Sequence, residues 1–121
     1  MSERPEPVNI KVVGVGGAGG NAVLRMAKTK PQGVSFLALN TDLQALAQIK
    51  GLETFAIGLN TTQGMGSGGD HEVGRKAIKE SHEQVAHMIE GADMVFVAAG
   101  MGGGTGTGAA HVIARAAKEL N

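Results

Sequence analysis

The chain has 121 residues, 11 basic and 11 acidic side chains, no cysteine and three phenylalanines as its only aromatics. That length suits one domain with a modest core, and the composition excludes a disulfide framework, a thiolate metal site, a basic field for nucleic acid and an aromatic base-stacking surface. No apolar run approaches the ~18 residues of a membrane span, and the polar lead MSERPEPVN has no apolar signal region behind it; a cytoplasmic protein is expected, with neither nucleic acid nor direct membrane insertion.

Residues 1–9 are expected to be a disordered lead-in, and residues 10–121 one α/β unit. Ile10–Val15 reads as the first strand and NAVLRMAK, from Asn21 to about Lys28, as the first helix, stopped by Pro31 and Gly33. Between them lies Gly16-Gly17-Ala18-Gly19-Gly20. Gly14, Gly16 and Gly19 satisfy G-x-G-x-x-G in the strand-to-helix setting that gives this pattern its meaning. Val34–Leu39 is the second strand. Thr41 and Gln44 fit a capping box for a helix over 42–50, and Asp42 lies 23 residues past Gly19, close to where a Rossmann protein keeps its ribose-binding acid.

A third strand covers Glu53–Ile57, followed by a loop over Gly58–Asp70 that carries Gly64, Gly66, Gly68 and Gly69. Long loops inside small domains are usually functional or disordered. Asp70 can cap a helix over Glu72–Glu90, in which Val73, Ala77, Ser81, Val85 and Ile89, with Ile78 and Met88 beside them, make a buried stripe. The Arg, Lys and Glu residues of this helix are expected on its solvated face. Met94–Ala99 is a continuous apolar run, expected as a strand covered on both faces. Gly100–Gly108 then holds six glycines in nine positions and runs into a helix over Ala109–Leu120.

The alternation predicts a Rossmann-like, all-parallel sheet with strand order 3-2-1-4 and helices on both faces. Strands 1 and 4 then flank the point where the winding reverses, and ligands of such sheets bind beyond the carboxyl ends of the strands there. Of 20 glycines, 15 fall in 14–20, 64–69 and 100–108. Two glycine loops therefore sit side by side, with Asn40-Thr41-Asp42 on the next strand. Loops without Cβ atoms ahead of helix N-termini turn their N–H groups toward an anion, and the hydroxyls of Thr105 and Thr107 add donors for phosphate oxygens. A nucleotide is the ligand this arrangement predicts.

Gly102-Gly103-Gly104-Thr105-Gly106-Thr107-Gly108 resembles the signature of the tubulin/FtsZ superfamily of GTPases, and Ala98–Met101 and Gly108–Ala110 resemble its FtsZ branch more closely. The similarity runs from about Ile10 to Leu120. It also includes Gly14–Asn21, Asn40–Asp42 and the glycine loop before Glu72-Val73-Gly74. The resemblance implies a GTP-binding, polymer-forming GTPase of cell division. By it, Gly17, Ala18, Gly19, Gly20 and Asn21 form the first nucleotide loop. Gly102, Gly103, Gly104, Thr105, Gly106, Thr107 and Gly108 wrap the α- and β-phosphates, and Met101 lies near the ribose. Gly66, Gly68, Gly69 and Asp70 lie by the γ-phosphate, and Asp42 faces the phosphates and Mg²⁺. No G-x-x-x-x-G-K-[ST] is present, so backbone N–H groups, helix dipoles and Mg²⁺ would have to neutralise GTP or GDP. His71 and His111 stand where the family often has proline, which pre-sets a first helical turn.

The family's chains are much longer, so residues 10–121 are expected to be the N-terminal part of a GTP-binding domain. The resemblance places the acidic loop that drives hydrolysis on a neighbouring subunit, so no residue of this chain is assigned a catalytic role. It implies head-to-tail filaments of identical copies, membrane tethers and division proteins as partners through a further C-terminal part, and a mid-cell ring as the site of action. Two other readings fit the sequence. Gly14-x-Gly16-x-x-Gly19 with Asp42 suits an NAD-binding Rossmann domain of an oxidoreductase. A non-catalytic fragment that binds an intact family member is the other.

Overall fold

The computed structural model describes residues 8–29 and 31–100. Among the described residues, four segments form the strands β1 (Ile10–Val15), β2 (Val34–Asn40), β3 (Glu53–Ala56) and β4 (Met94–Ala99), all but β3 predominantly apolar. They pair in parallel in the order β3-β2-β1-β4, as the alternation predicts. Val15 is level with Leu39 on one side and Ala99 on the other, so the segments leaving β1, β2 and β4 start together at one end of the sheet.

Because side chains alternate along a strand, each face has its own core. Val13, Val15, Leu37 and Leu39 meet Ile57 and the apolar stripe of α4 (His71–Glu80) and α5 (His82–Ile89). Val12 and Ala38 meet Val23 of α1 (Gly16–Ala27) and Leu46 of α2 (Leu43–Ala47). Leu37 is fully buried. Leu37→Ala is expected to cost about 2–5 kcal/mol, through lost burial and the cavity left behind. A urea unfolding midpoint equal to the parent's would contradict this account of the core.

Several boundaries differ from expectation for identifiable reasons. The first helix begins at Gly16, so the glycine run expected as a loop forms its first turns. The second helix is capped by Asp42, not Thr41, and stops at Ala47. Asn40 causes the shift: its Oδ1 accepts from Thr41 N at 2.7 Å and Asp42 N at 3.2 Å. This local turn moves the helix start one residue on. The third strand ends at Ala56, and the segment expected as a loop contains a short helix, α3 (Leu59–Thr62).

The helix expected over 72–90 is two helices meeting at Ser81, whose hydroxyl turns away to accept from Gly58 N at 2.9 Å. Ala77, Ile78, Ser81, Val85 and Ile89 are buried as the stripe requires, while Val73 and Met88 are only partly so. On one face of β4, Phe96 is 52% exposed and Met94 48%. Among the described residues α1 meets the far end of β4, where Gly19 lies against Ala98, and leaves Met94 and Phe96 open. Of the predicted lead-in, Asn9 is tied to Asp93 by two bonds of 2.7 Å. The expected loop beyond Gly100, with Met101 and Gly102–Gly108, and the helix over Ala109–Leu120 lie outside the described residues.

Candidate functional site

The first glycine run divides by packing. A Cβ on Gly14 would strike the Gly19 carbonyl, and one on Gly19 would strike the Ala98 carbonyl. These two glycines let the start of α1 lie directly on the ends of β1 and β4. Gly17 is different: among the described residues, a Cβ there would meet nothing within 4 Å. Gly17, Ala18 and Asn21 are exposed, Gly19 and Gly20 buried. The open backbone at the head of α1 is therefore that of Gly17 and Ala18. The chain leaving β4 passes close beside it, since a Cβ on Gly100 would lie 2.6 Å from that of Ala18.

On the neighbouring strand, Asp42 is partly buried at the head of α2. Its Oδ1 accepts from Gln44 N at 2.9 Å and Ala45 N at 3.3 Å. The glycine loop folds back onto it. Leu43 N donates to Gly64 O at 3.1 Å, Gly66 N donates to Thr41 O at 3.2 Å, and Asp42 and Met65 form an antiparallel bridge. Gly66 has φ +87°, a conformation other residues adopt only with strain. A Cβ placed on it would be 3.6 Å from that of Asp42. Gly68 and Gly69 are exposed, with open space around them, and lead to Asp70, whose Oδ1 caps α4 through Glu72 N at 2.9 Å. His71 is the first residue of that helix.

The structure thus joins Asp42 to Gly66, and Ala18 to Gly100, at one end of the sheet. Among the described residues no cluster of three or more His, Asp or Glu side chains could hold a metal by itself. Asp42 fits a different type of site. Mg²⁺ commonly takes one or two carboxylates and fills its shell with water and phosphate oxygens. Asp42 has a second carboxylate oxygen beyond the one that caps α2.

Glu80 and Ser81 carry a connection that the sequence did not reveal. Glu80 was expected on the solvated face of its helix. It is exposed there, and from that face its Oε2 accepts from Asn60 N at 3.0 Å, and its Oε1 from Thr61 N at 2.9 Å and Thr61 Oγ1 at 2.8 Å. The Asn60 N–H, then the Thr61 hydroxyl, hold its carboxyl below the ordinary carboxylate range. A carboxyl with a lowered folded-state pKa contributes stability that is complete above its unfolded pKa and lost as pH falls through the folded one. The gap in unfolding midpoint between the parent and Glu80→Gln is therefore expected to be full at neutral pH and to close on acidification below the ordinary carboxylate range. A gap that stayed constant with pH would show that the charge is irrelevant.

No helix among the described residues is long and apolar enough to cross a membrane. The model of the Tubulin/FtsZ family, GTPase domain, matches residues 9–121. The cell division protein FtsZ of Buchnera aphidicola subsp. Schizaphis graminum is 55% identical over 111 residues, covering 92% of this chain and 29% of the relative. The chain thus spans about three-tenths of the length of the curated relatives it matches. An empty FtsZ dimer of M. jannaschii superposes with a TM-score of 0.91 at 42% identity, covering 94% of this chain and 33% of that one. CetZ2 from Haloferax volcanii, solved as a GTPγS-bound protofilament, gives a TM-score of 0.82 at 32% identity, covering 94% and 37%. Parallel sheet, strand order and glycine loops agree with a family match that spans nearly the whole sequence, and the chain belongs to the tubulin/FtsZ family, matched through its GTPase domain.

Proposed function

We propose that the chain binds GTP and GDP with Mg²⁺ at the carboxyl end of its sheet, as part of a self-assembling GTPase of cell division. The observation that carries this is the meeting of the β1, β2 and β4 ends where the strand order reverses, with the head of α1 beside Gly100 and Gly66 beside Asp42. In this reading Gly17, Ala18, Gly19, Gly20 and Asn21 form the first nucleotide loop, whose open backbone at Gly17 and Ala18 offers N–H groups and the α1 dipole to the phosphates. Gly66, Gly68 and Gly69 lie toward the terminal phosphate, Met101 by the ribose, and Gly102–Gly108 around the α- and β-phosphates. Asp42 would hold Mg²⁺, which supplies positive charge to the phosphates in place of a P-loop lysine. The family match favours a guanine nucleotide over NAD.

No catalytic residue is assigned within the chain. Hydrolysis is expected to need an acidic loop from a second subunit in a filament, and the cytoplasmic division site is the expected place of action. Relatives named as cell division proteins and a relative solved as a protofilament support this.

Titration with GTP, GDP and NAD in Mg²⁺ tests the ligand: guanine nucleotides are expected to bind and NAD not. Gly104→Val and Thr105→Ala should each weaken GTP binding by about tenfold or more, since the loop loses backbone access or a hydroxyl donor. Unchanged affinity in both variants would sink the phosphate-loop assignment. Asp42 separates its two roles by substitution. Asp42→Asn keeps an acceptor for the α2 cap, whereas Asp42→Ala loses about 1 kcal/mol of stability with it. Both should flatten the Mg²⁺ dependence of GTP binding; a Mg²⁺ titration unaltered in both would leave Asp42 as a cap alone.

A further inference from the structure

We propose that Glu80 is a positioning residue for the 64–70 loop: from α4 it caps α3 and so sets where Gly64 and Gly66 dock beside Asp42. Its importance for nucleotide binding rests on the function proposed above; the docking itself does not. A helix of four residues cannot sustain itself, and the first N–H groups of α3 need acceptors. Its own N-cap, Gly58, has φ +64° and no side chain to offer. Glu80 supplies the missing acceptor for Asn60 N, takes the Thr61 hydroxyl and shares Thr61 N with the Gly58 carbonyl, while Ser81 Oγ takes Gly58 N. A carboxylate at a helix N-terminus also complements the helix dipole.

The far end of α3 carries the effect to the site. Thr62 Oγ1 lies 3.3 Å from the carbonyls of Thr41 and Gly58 and accepts from Gly64 N at 3.2 Å. Met65 N donates to Thr62 O at 3.0 Å. Gly64 and Gly66 then bond to Leu43 and Thr41, on either side of Asp42. An unbroken hydrogen-bonded path therefore runs from Glu80 through α3 to the two residues flanking Asp42. The hydrogen bonds of Glu80 go to Asn60 and Thr61 and reach none of the proposed nucleotide contacts among the described residues, so the effect is carried by this path.

The test compares the 121-residue chain with Glu80→Ala, Glu80→Gln and the exposed control Glu83→Gln. Amide hydrogen exchange is read at Asn60, Thr61, Leu43 and Gly66, and Mg²⁺-GTP affinity by titration. In Glu80→Ala, exchange is expected to rise about tenfold at Asn60 and Thr61 and to rise at Leu43 and Gly66 as well, with amides of β1 and β2 unaffected. GTP affinity should fall about three- to tenfold. Glu80→Gln, which keeps an acceptor oxygen, should fall between, and it carries the test if Glu80→Ala fails to fold. Glu83→Gln should match the parent. Faster exchange confined to Asn60 and Thr61 would overturn the proposal, as would full GTP affinity in Glu80→Ala. A parent chain that bound no GTP would count against the proposed function, and exchange at Leu43 and Gly66 would still decide the role of Glu80.

Discussion

Gly58→Ala is expected to bring the chain close to unfolding. Two costs coincide at this position. The backbone has φ +64°, which a residue with a Cβ adopts only under strain, and an added Cβ would overlap the Cβ and Cα of Ala77, itself fully buried in α4. Strain of about 1–3 kcal/mol and overpacking of about 1–3 kcal/mol together approach the ~5–15 kcal/mol that holds a typical domain folded. Neither side can yield cheaply. Gly58 N is held by Ser81 and its carbonyl by Thr61 and Thr62, while Ala77 sits between the sheet and this turn. Gly51→Ala isolates the first cost, because Gly51 has φ +90° with nothing within 4 Å of an added Cβ. Urea unfolding of both variants checks the account: Gly58→Ala should lose about twice as much stability. Equal losses would mean that contact with α4 contributes nothing.

The same turn shows where sequence reading reaches its limit. The strands were legible because buried parallel strands leave continuous apolar runs, and their order followed from alternation and right-handed crossovers. The stripe from Ala77 to Ile89 was legible because burial imposes a helical period. The break at Ser81 was not, because its cause is a partner 23 residues upstream, Gly58 N. The only local hint was a serine inside an apolar stripe. Glu80 looked like any exposed helix carboxylate, since a cap supplied from another element leaves no spacing signal. The one-residue error at α2 has a shorter range: Asn40 competes for the amides of Thr41 and Asp42, and a Thr-x-x-Gln pattern does not show it.

The site was legible in part for the same reasons. The loops after strands 1 and 4 were expected side by side, and Ala18 and Gly100 do meet. That Gly66 would dock beside Asp42 was not readable, because the bridge between Asp42 and Met65 is an isolated pairing outside any strand. The seven-residue run Gly102–Gly108 was the strongest motif, and its role stays with the proposed function.

Gly19→Ala and Gly17→Ala, two residues apart in one glycine run, are expected to move stability and binding in different ways. Gly19→Ala drives a methyl into the Ala98 carbonyl and the end of β1. Relief requires α1 to lift from β4, at about 2–4 kcal/mol, and lifting α1 also displaces the proposed phosphate site, so GTP binding should fall with stability. Gly17→Ala meets no packing contact within 4 Å among the described residues. Replacing a helical glycine there should leave the ligand-free chain as stable as the parent or raise it by about 0.5 kcal/mol. Its GTP affinity should nevertheless drop, because the added methyl occupies space that a phosphate needs against the backbone. Urea midpoints without nucleotide, set beside GTP titrations, separate the two glycines. If Gly17→Ala bound GTP as tightly as the parent, the glycines at the head of α1 would be explained by helix–sheet packing alone. Lowered affinity at undiminished stability would assign the open side of the helix start to the ligand, since no packing contact among the described residues reaches that position.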